Sequence, residues 1–139
     1  MTASLWTSDE LVKATRGNLH GPAFEISDLV IDSRKVTPGC LFVALPGERV
    51  DGHDYVGTAL EAGAAAALVN RIPDGLDSTA SLLEVEDVLG GLTDIAVAAR
   101  ARASAKVLAV TGSVGKTGTK DSLAAALAAF GSVHASAGN

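Results

Sequence analysis

At 139 residues with a formal net charge of −5, the chain is long enough for one domain, or for one domain and the opening of another. It is too acidic, with no Lys/Arg cluster, for nucleic acid to be its main partner. Its residues are 47% hydrophobic and only 4% aromatic, a globular rather than a disordered profile, and the single Cys40 excludes an internal disulfide or a thiolate metal cluster and fits a reducing, cytoplasmic setting.

The opening residues, Met1 to Thr7, lack the charged and apolar regions of a signal peptide. Thr7 caps a first helix, with Glu10 completing a capping box, Leu11 and Val12 on its apolar face and Gly17 as its stop. Ile26 to Ile31 reads as a strand that Asp28 interrupts. Asp32-Ser33-Arg34 forms a polar corner, and Pro38-Gly39 a turn. Leu41 to Leu45 is an all-apolar run between two Pro-Gly steps, hence a buried strand. A Gly-, Asp- and His-bearing loop covers Pro46 to Asp54. Tyr55 to Ala62 is a helix ended by Gly63, and Ala65–Val69 is the next strand. The alanine-rich stretch from Ala62 is too short to cross a bilayer, and no membrane insertion is expected. Leu82–Val85 reads as a further strand, and Asp87 caps a long helix that runs to Ala103.

A second block opens at Lys106. Val107 to Val110 looks like a buried strand, Gly112 to Thr117 like a glycine-bounded turn, and the alanine-rich run through Leu123 and Leu127 like a helix. Strand, glycine loop, Lys-Thr and helix is the order of a nucleoside-triphosphate site. Gly112 and Gly115 let the backbone approach phosphate oxygens, successive backbone N–H groups of the turn through Ser113 and Val114 bind anions, and the helix after Thr117 adds unpaired N–H donors. Lys116 reaches the terminal phosphates and the Thr117 hydroxyl holds Mg²⁺. The spacing is shorter than the standard phosphate loop, because Val110 stands where that motif has glycine. The competing reading is an ordinary strand-to-helix turn with an exposed lysine.

Alternating strands and helices make the class α/β, with a first domain over residues 1–104 and the start of a second over 105–139. The second block is shorter than segments that usually fold alone, so the sequence reads as the front of a longer protein.

The runs Asp32-Ser-Arg-Lys-Val-Thr-Pro-Gly39, Leu41-Phe-Val-Ala-Leu-Pro-Gly47, Asp51-Gly-His-Asp-Tyr55 and Ala62-Gly-Ala64, in this order and spacing, resemble the N-terminal substrate domain of the Mur ligases. The shortened Thr-Gly-x-x-Gly-Lys-Thr loop is similar to the start of that family's central ATPase domain, so the resemblance covers nearly the whole chain and makes Val110 ordinary. Ser113, Thr119-Lys120 and the tail from Val133 most resemble the branch that adds D-alanyl-D-alanine to UDP-MurNAc-tripeptide. The sister branch, which adds the third amino acid to UDP-MurNAc-dipeptide, is the alternative, and a non-catalytic nucleotide-sugar-binding module is a second one. Cys40 replaces a usually acidic residue, and Gly118 replaces a usual Ser or Thr.

The resemblance implies an ATP- and Mg²⁺-dependent, ADP-forming ligase of cytoplasmic peptidoglycan-precursor synthesis. Such an enzyme activates a carboxylate as an acyl phosphate before an amine attacks. Lys116 and Thr117 become its catalytic residues, and Gly112 to Gly118 its nucleotide contacts. Ser33, Arg34, Gly47, Asp51, His53 and Asn139 become contacts to the UDP-MurNAc-peptide. The residues alone leave other roles open for several of these. Ser33 and Arg34 also read as a turn with an Arg–Asp32 ion pair, Gly47 as a plain turn, and His53 as a structural loop bond. His20, His134 and Trp6 read as structural. A monomer is expected, and this chain by itself is expected to be inactive as a ligase.

Overall fold

The computed structural model describes residues 4–47 and 49–137 and divides into two units, Met1–Ala103 and Ser104–Asn139. The first unit runs β1 (Trp6–Thr7), α1 (Ser8–Thr15), β2 (Asn18–His20), β3 (Glu25–Ile26), β4 (Asp28–Val30), β5 (Cys40–Val43), α2 (Val56–Glu61), β6 (Ala66–Val69), β7 (Leu82–Glu84) and α3 (Val88–Arg102). Single 3₁₀ turns cover Ser33–Lys35 and Gly52–Tyr55. The second unit contains α4 (Lys116–Leu127).

The main sheet has the order β2-β7-β6-β5-β4. Four of its strands run parallel, and β2 pairs antiparallel with β7. A parallel sheet needs cover on both faces, so its strands carry unbroken apolar runs. Cys40 to Ala44 and Ala66 to Val69 are accordingly buried at every position. Their side chains alternate between two cores. Leu41, Val43, Ala66, Leu68, Leu83 and Val85 pack on Leu11 of α1 and Val88 and Ile95 of α3. Cys40, Phe42, Ala44, Ala67, Val69 and Leu82 pack on Val56 and Ala59 of α2.

The helix boundaries follow local chemistry. The Thr7 hydroxyl accepts from the Glu10 N–H at 3.3 Å, and the Glu10 carboxylate accepts from the Thr7 N–H at 2.9 Å, which is the capping box. Asp87 caps α3 by accepting from the Gly90 N–H at 2.6 Å. At the end of α1 the left-handed residue is Arg16, with φ 57°, and not the glycine expected to stop the helix. Gly17 serves a different need: a Cβ there would lie 2.6 Å from the Glu84 carbonyl oxygen of β7.

The expected strand over Ile26–Ile31 divides at Ser27, whose N–H donates to the Gly39 carbonyl. One piece, β3, pairs with β1 in a separate two-stranded sheet, and the other, β4, is an edge of the main sheet. In the second unit, Val107 to Val110 is not in a ladder among the described residues, and Val107 and Leu108 are 62% exposed. An apolar run becomes a strand only when another backbone satisfies its N–H and C=O groups, so the predicted strand is not formed here.

Arg102 ties the last turn of α3 to the beginning of the unit. Its guanidinium lies 3.5 Å from the centroid of the buried Trp6 ring. It also donates to the Leu5 carbonyl at 2.6 Å and lies 3.9 Å from the Glu10 carboxylate. Trp6 is thus a packing anchor. Replacing Arg102 by Ala removes a cation–π contact and a charged hydrogen bond, for an expected loss of about 1–2 kcal/mol. Urea unfolding followed through the fluorescence of Trp6, the sole tryptophan, measures it, and the folded-state emission should shift to the red.

Candidate functional site

Parallel pairing places the C-terminal ends of β4, β5 and β6 along one edge of the sheet, the edge where open α/β sheets bind ligands. Ser33 and Arg34 follow β4, Gly47, Asp51 and His53 follow β5, and Asn70 and Arg71 follow β6. Five of the six residues read from sequence as substrate contacts therefore share one edge. Asn139 lies outside the described residues.

The Asp32 carboxylate organises the first corner. It accepts from the Arg34 backbone N–H at 3.0 Å and holds the Arg34 guanidinium in a fork, at 2.9 and 2.8 Å. The guanidinium hydrogen bond, followed by that of the backbone N–H, lowers the Asp32 pKa to about 2. The ion-pair reading of Arg34 is thus present in the structure, but the side chain is 87% exposed and only part of its fork faces Asp32. Ser33 occupies the 3₁₀ turn between them. At Gly47 the closeness comes from the chain itself: a Cβ there would lie 2.6 Å from the Val50 carbonyl oxygen.

Asp51 organises the second corner. One carboxylate oxygen accepts from the His53 backbone N–H at 2.9 Å and lies 2.7 Å from His53 Nδ1. The other accepts from the Arg71 guanidinium at 2.8 Å. The Asn70 backbone N–H donates to His53 Nε2 at 3.2 Å, so Nε2 is an acceptor and Nδ1 carries the proton toward Asp51. The His53 ring is buried, and both its nitrogens bond within the protein. The imidazole fastens the loop after β5 to the end of β6, which is the loop-bond reading of His53. Arg71, 56% exposed, is the outward-facing cation of this corner. Sequence reading passed over it, although its place directly after β6 is a signal once the sheet order is known.

In the second unit, Gly112 (φ 149°) and Gly115 (φ 82°) take backbone conformations that side chains disfavour. Gly115 is also the N-cap of α4. A Cβ added at Gly115 or Gly118 would meet nothing within 4 Å, and Val114 is 90% exposed, so the loop is open to a ligand. The first N–H groups of α4 have no carbonyl partner within the helix, and its first turn holds no acidic residue. Lys116 folds its ammonium back onto the Gly112 carbonyl at 2.5 Å. A glycine-bounded loop, a helix N-terminus and one lysine are the groups that could hold a polyphosphate. Thr117 sits in the first turn of α4, and its hydroxyl is a hard oxygen ligand of the kind that could hold Mg²⁺.

The family model described as the Mur ligase family, catalytic domain, matches residues 25–110. The chain is 41% identical to the UDP-N-acetylmuramoyl-tripeptide–D-alanyl-D-alanine ligase of Escherichia coli, over 96% of this chain and 29% of that protein. Among solved structures it is similar to MurF from Acinetobacter baumannii, with a TM-score of 0.79 and 35% identity over 94% of this chain and 29% of that one. It is also similar to MurF ligase from Thermotoga maritima, solved in complex with ADP, with a TM-score of 0.62 and 36% identity over 73% and 23%. The chain thus spans less than a third of the length of the relatives it matches.

Hydrogen bonds from His53 and Arg71 hold the Asp51 pKa well below the usual carboxylate range, so acid should destabilise this corner. A depressed carboxylate contributes stability that is fully present above its unfolded pKa, about 3.9, and is lost as pH falls through the folded value. Asp32 adds a second loss between about 4 and about 2. Urea midpoints are therefore expected to fall from pH 4 downward. Asp51→Asn should be the less stable protein at pH 7 and should lose less on acidification. A wild type and variant with parallel pH profiles would show that Asp51 is not the group responsible.

Proposed function

The chain belongs to the Mur ligase family, and from that premise we propose that it forms the substrate-holding and phosphate-gripping front of a D-alanyl-D-alanine-adding ligase. The reaction is the ATP-dependent joining of D-alanyl-D-alanine to UDP-MurNAc-tripeptide, in the cytoplasm. The first unit is the UDP-MurNAc-peptide domain and the second is the beginning of the ATPase domain. The observation that carries the reading is the left-handed Gly115 cap, which sets Lys116 and Thr117 on the first turn of α4 above an open glycine loop.

ATP supplies the γ-phosphoryl group that activates the substrate carboxylate. The protein's part is positioning and neutralising charge. The backbone N–H groups from Gly112 to Gly118 take phosphate oxygens. The Lys116 ammonium exchanges the Gly112 carbonyl for the charge on the transferred group, a move that trades a neutral acceptor for an anionic one. The Thr117 hydroxyl would hold Mg²⁺, which would neutralise phosphate charge there. At the sheet edge, the exposed guanidinium of Arg34, with Ser33, meets the diphosphate or uracil of the nucleotide sugar, and Arg71 supports it from the end of β6. Asp51 and His53 hold that edge in shape. Gly118 lacks the hydroxyl usual at its position, and the N–H donors, Lys116 and Thr117 suffice for the grip.

Calorimetric titration with Mg-ATP tests the loop. The wild-type chain should bind, and Lys116→Ala should bind about tenfold to a hundredfold more weakly, the loss of one charged hydrogen bond. Equal affinities would remove Lys116 from the site. Titration with UDP-MurNAc-tripeptide tests the edge. Arg34→Ala should weaken it about tenfold and leave Mg-ATP binding unchanged. If Mg-ATP and the nucleotide sugar both fail to bind a chain whose circular dichroism is that of a folded α/β protein, the reading is wrong.

A further inference from the structure

Two lysines lie one turn apart on the same face of α4, and each donates to a backbone carbonyl of a different flanking segment. Lys116 reaches Gly112. Lys120 reaches the Ser136 carbonyl at 2.6 Å, with the Asp121 carboxylate at 3.6 Å. Within α4, only Lys116, Lys120 and Ala124 escape full exposure, the i, i+4, i+8 spacing of one helical face. The Lys120 side chain is only 20% exposed, although lysine is a residue that ordinarily stays in water.

The placement runs against local preference. Cations near a helix N-terminus oppose the helix dipole, and like charges four residues apart repel. A lysine kept there answers to something other than helix stability. Its reach explains what. Lys120 stands about 6 Å along the axis from Lys116, and helical side chains lean toward the N-terminus. The Lys120 stem is thus inclined toward the turn that contains Lys116 and Thr117, and its ammonium holds the Ser136 carbonyl.

We infer that Lys120 is a positioning residue for the nucleotide site: by holding the Ser136 carbonyl it docks the 133–137 segment against α4 as a wall beside the phosphate loop. This rests on the phosphate reading of Gly112–Thr117. With Lys120 in place the wall is ordered before the nucleotide arrives, and binding does not have to order it. The lysine that changes partner on binding is Lys116, and the lysine that does not is Lys120.

The test uses the full chain, with Mg-ATP as the probe, and compares wild type with Lys120→Met and Lys120→Arg. Lys120→Met keeps the stem and removes the donor, and Lys120→Arg keeps both charge and donor. Backbone order parameters of residues 133–137 should fall from about 0.8 to below about 0.6 in Lys120→Met while those of α4 stay high. Mg-ATP affinity should fall about tenfold, and Lys120→Arg should recover most of both. A loss caused by missing charge alone shrinks as salt is raised, whereas a loss of positioning persists. Wild-type binding together with an unaffected Lys120→Met overturns the inference alone, as does a Lys120→Met loss that vanishes in high salt. A wild type that does not bind Mg-ATP overturns the phosphate reading and this inference with it.

Discussion

The structure depends on parallel pairing of short strands, of which the central pair β5 and β6 is fully buried. Because β4, β5, β6 and β7 run the same way, each has its next loop on the same edge. Because helices cover both faces, neither face is left for a ligand. The edge is the place that remains, and the chain's polar chemistry gathers there. Asp32, Arg34, Asp51, His53 and Arg71 are far apart in sequence and come together because strand direction leaves them one destination.

Within that edge, two carboxylates act as local organisers. Asp32 and Asp51 each cap a 3₁₀ turn by accepting the N–H two residues on, and each then holds an arginine. The repeated device puts a guanidinium at a defined height above the strand ends. The second corner adds His53, which joins two crossovers through a side chain that accepts a backbone N–H from β6's end. A buried imidazole with both nitrogens bonded is costly to lose, since its removal leaves the Asn70 amide without this acceptor and takes one of three hydrogen bonds from Asp51.

Much of this was readable in advance where one residue decides the outcome. Thr7 with Glu10 and Asp87 marked helix starts, since a side-chain oxygen three residues ahead of a free N–H is a local event. The strands β5, β6 and β7 were visible as apolar runs. Illegible features were those set by distant chain. Nothing around Ser27 announces that one strand becomes two, because the break depends on the carbonyl of Gly39. The two- and three-residue strands β1 and β2 have no pattern long enough to detect. Gly17 looked like a helix stop and is a contact with β7, while Arg16 takes the left-handed turn. At the site, glycine spacing marked the turn before α4, but the division of labour between His53 and Arg71 required knowing that β5 and β6 are neighbours.

The burial of Cys40 has a practical side. It is the chain's only thiol, fully covered in β5 on the face against α2, and a thiol so enclosed meets a reagent only when the sheet opens. Its labelling rate is therefore a clock for the opening of the first unit, supplied by the native sequence. A cysteine introduced on the exposed loop at Val114 would be labelled alone while that clock stays silent. Probes for the glycine loop before α4 can then be attached without first removing Cys40 from the core.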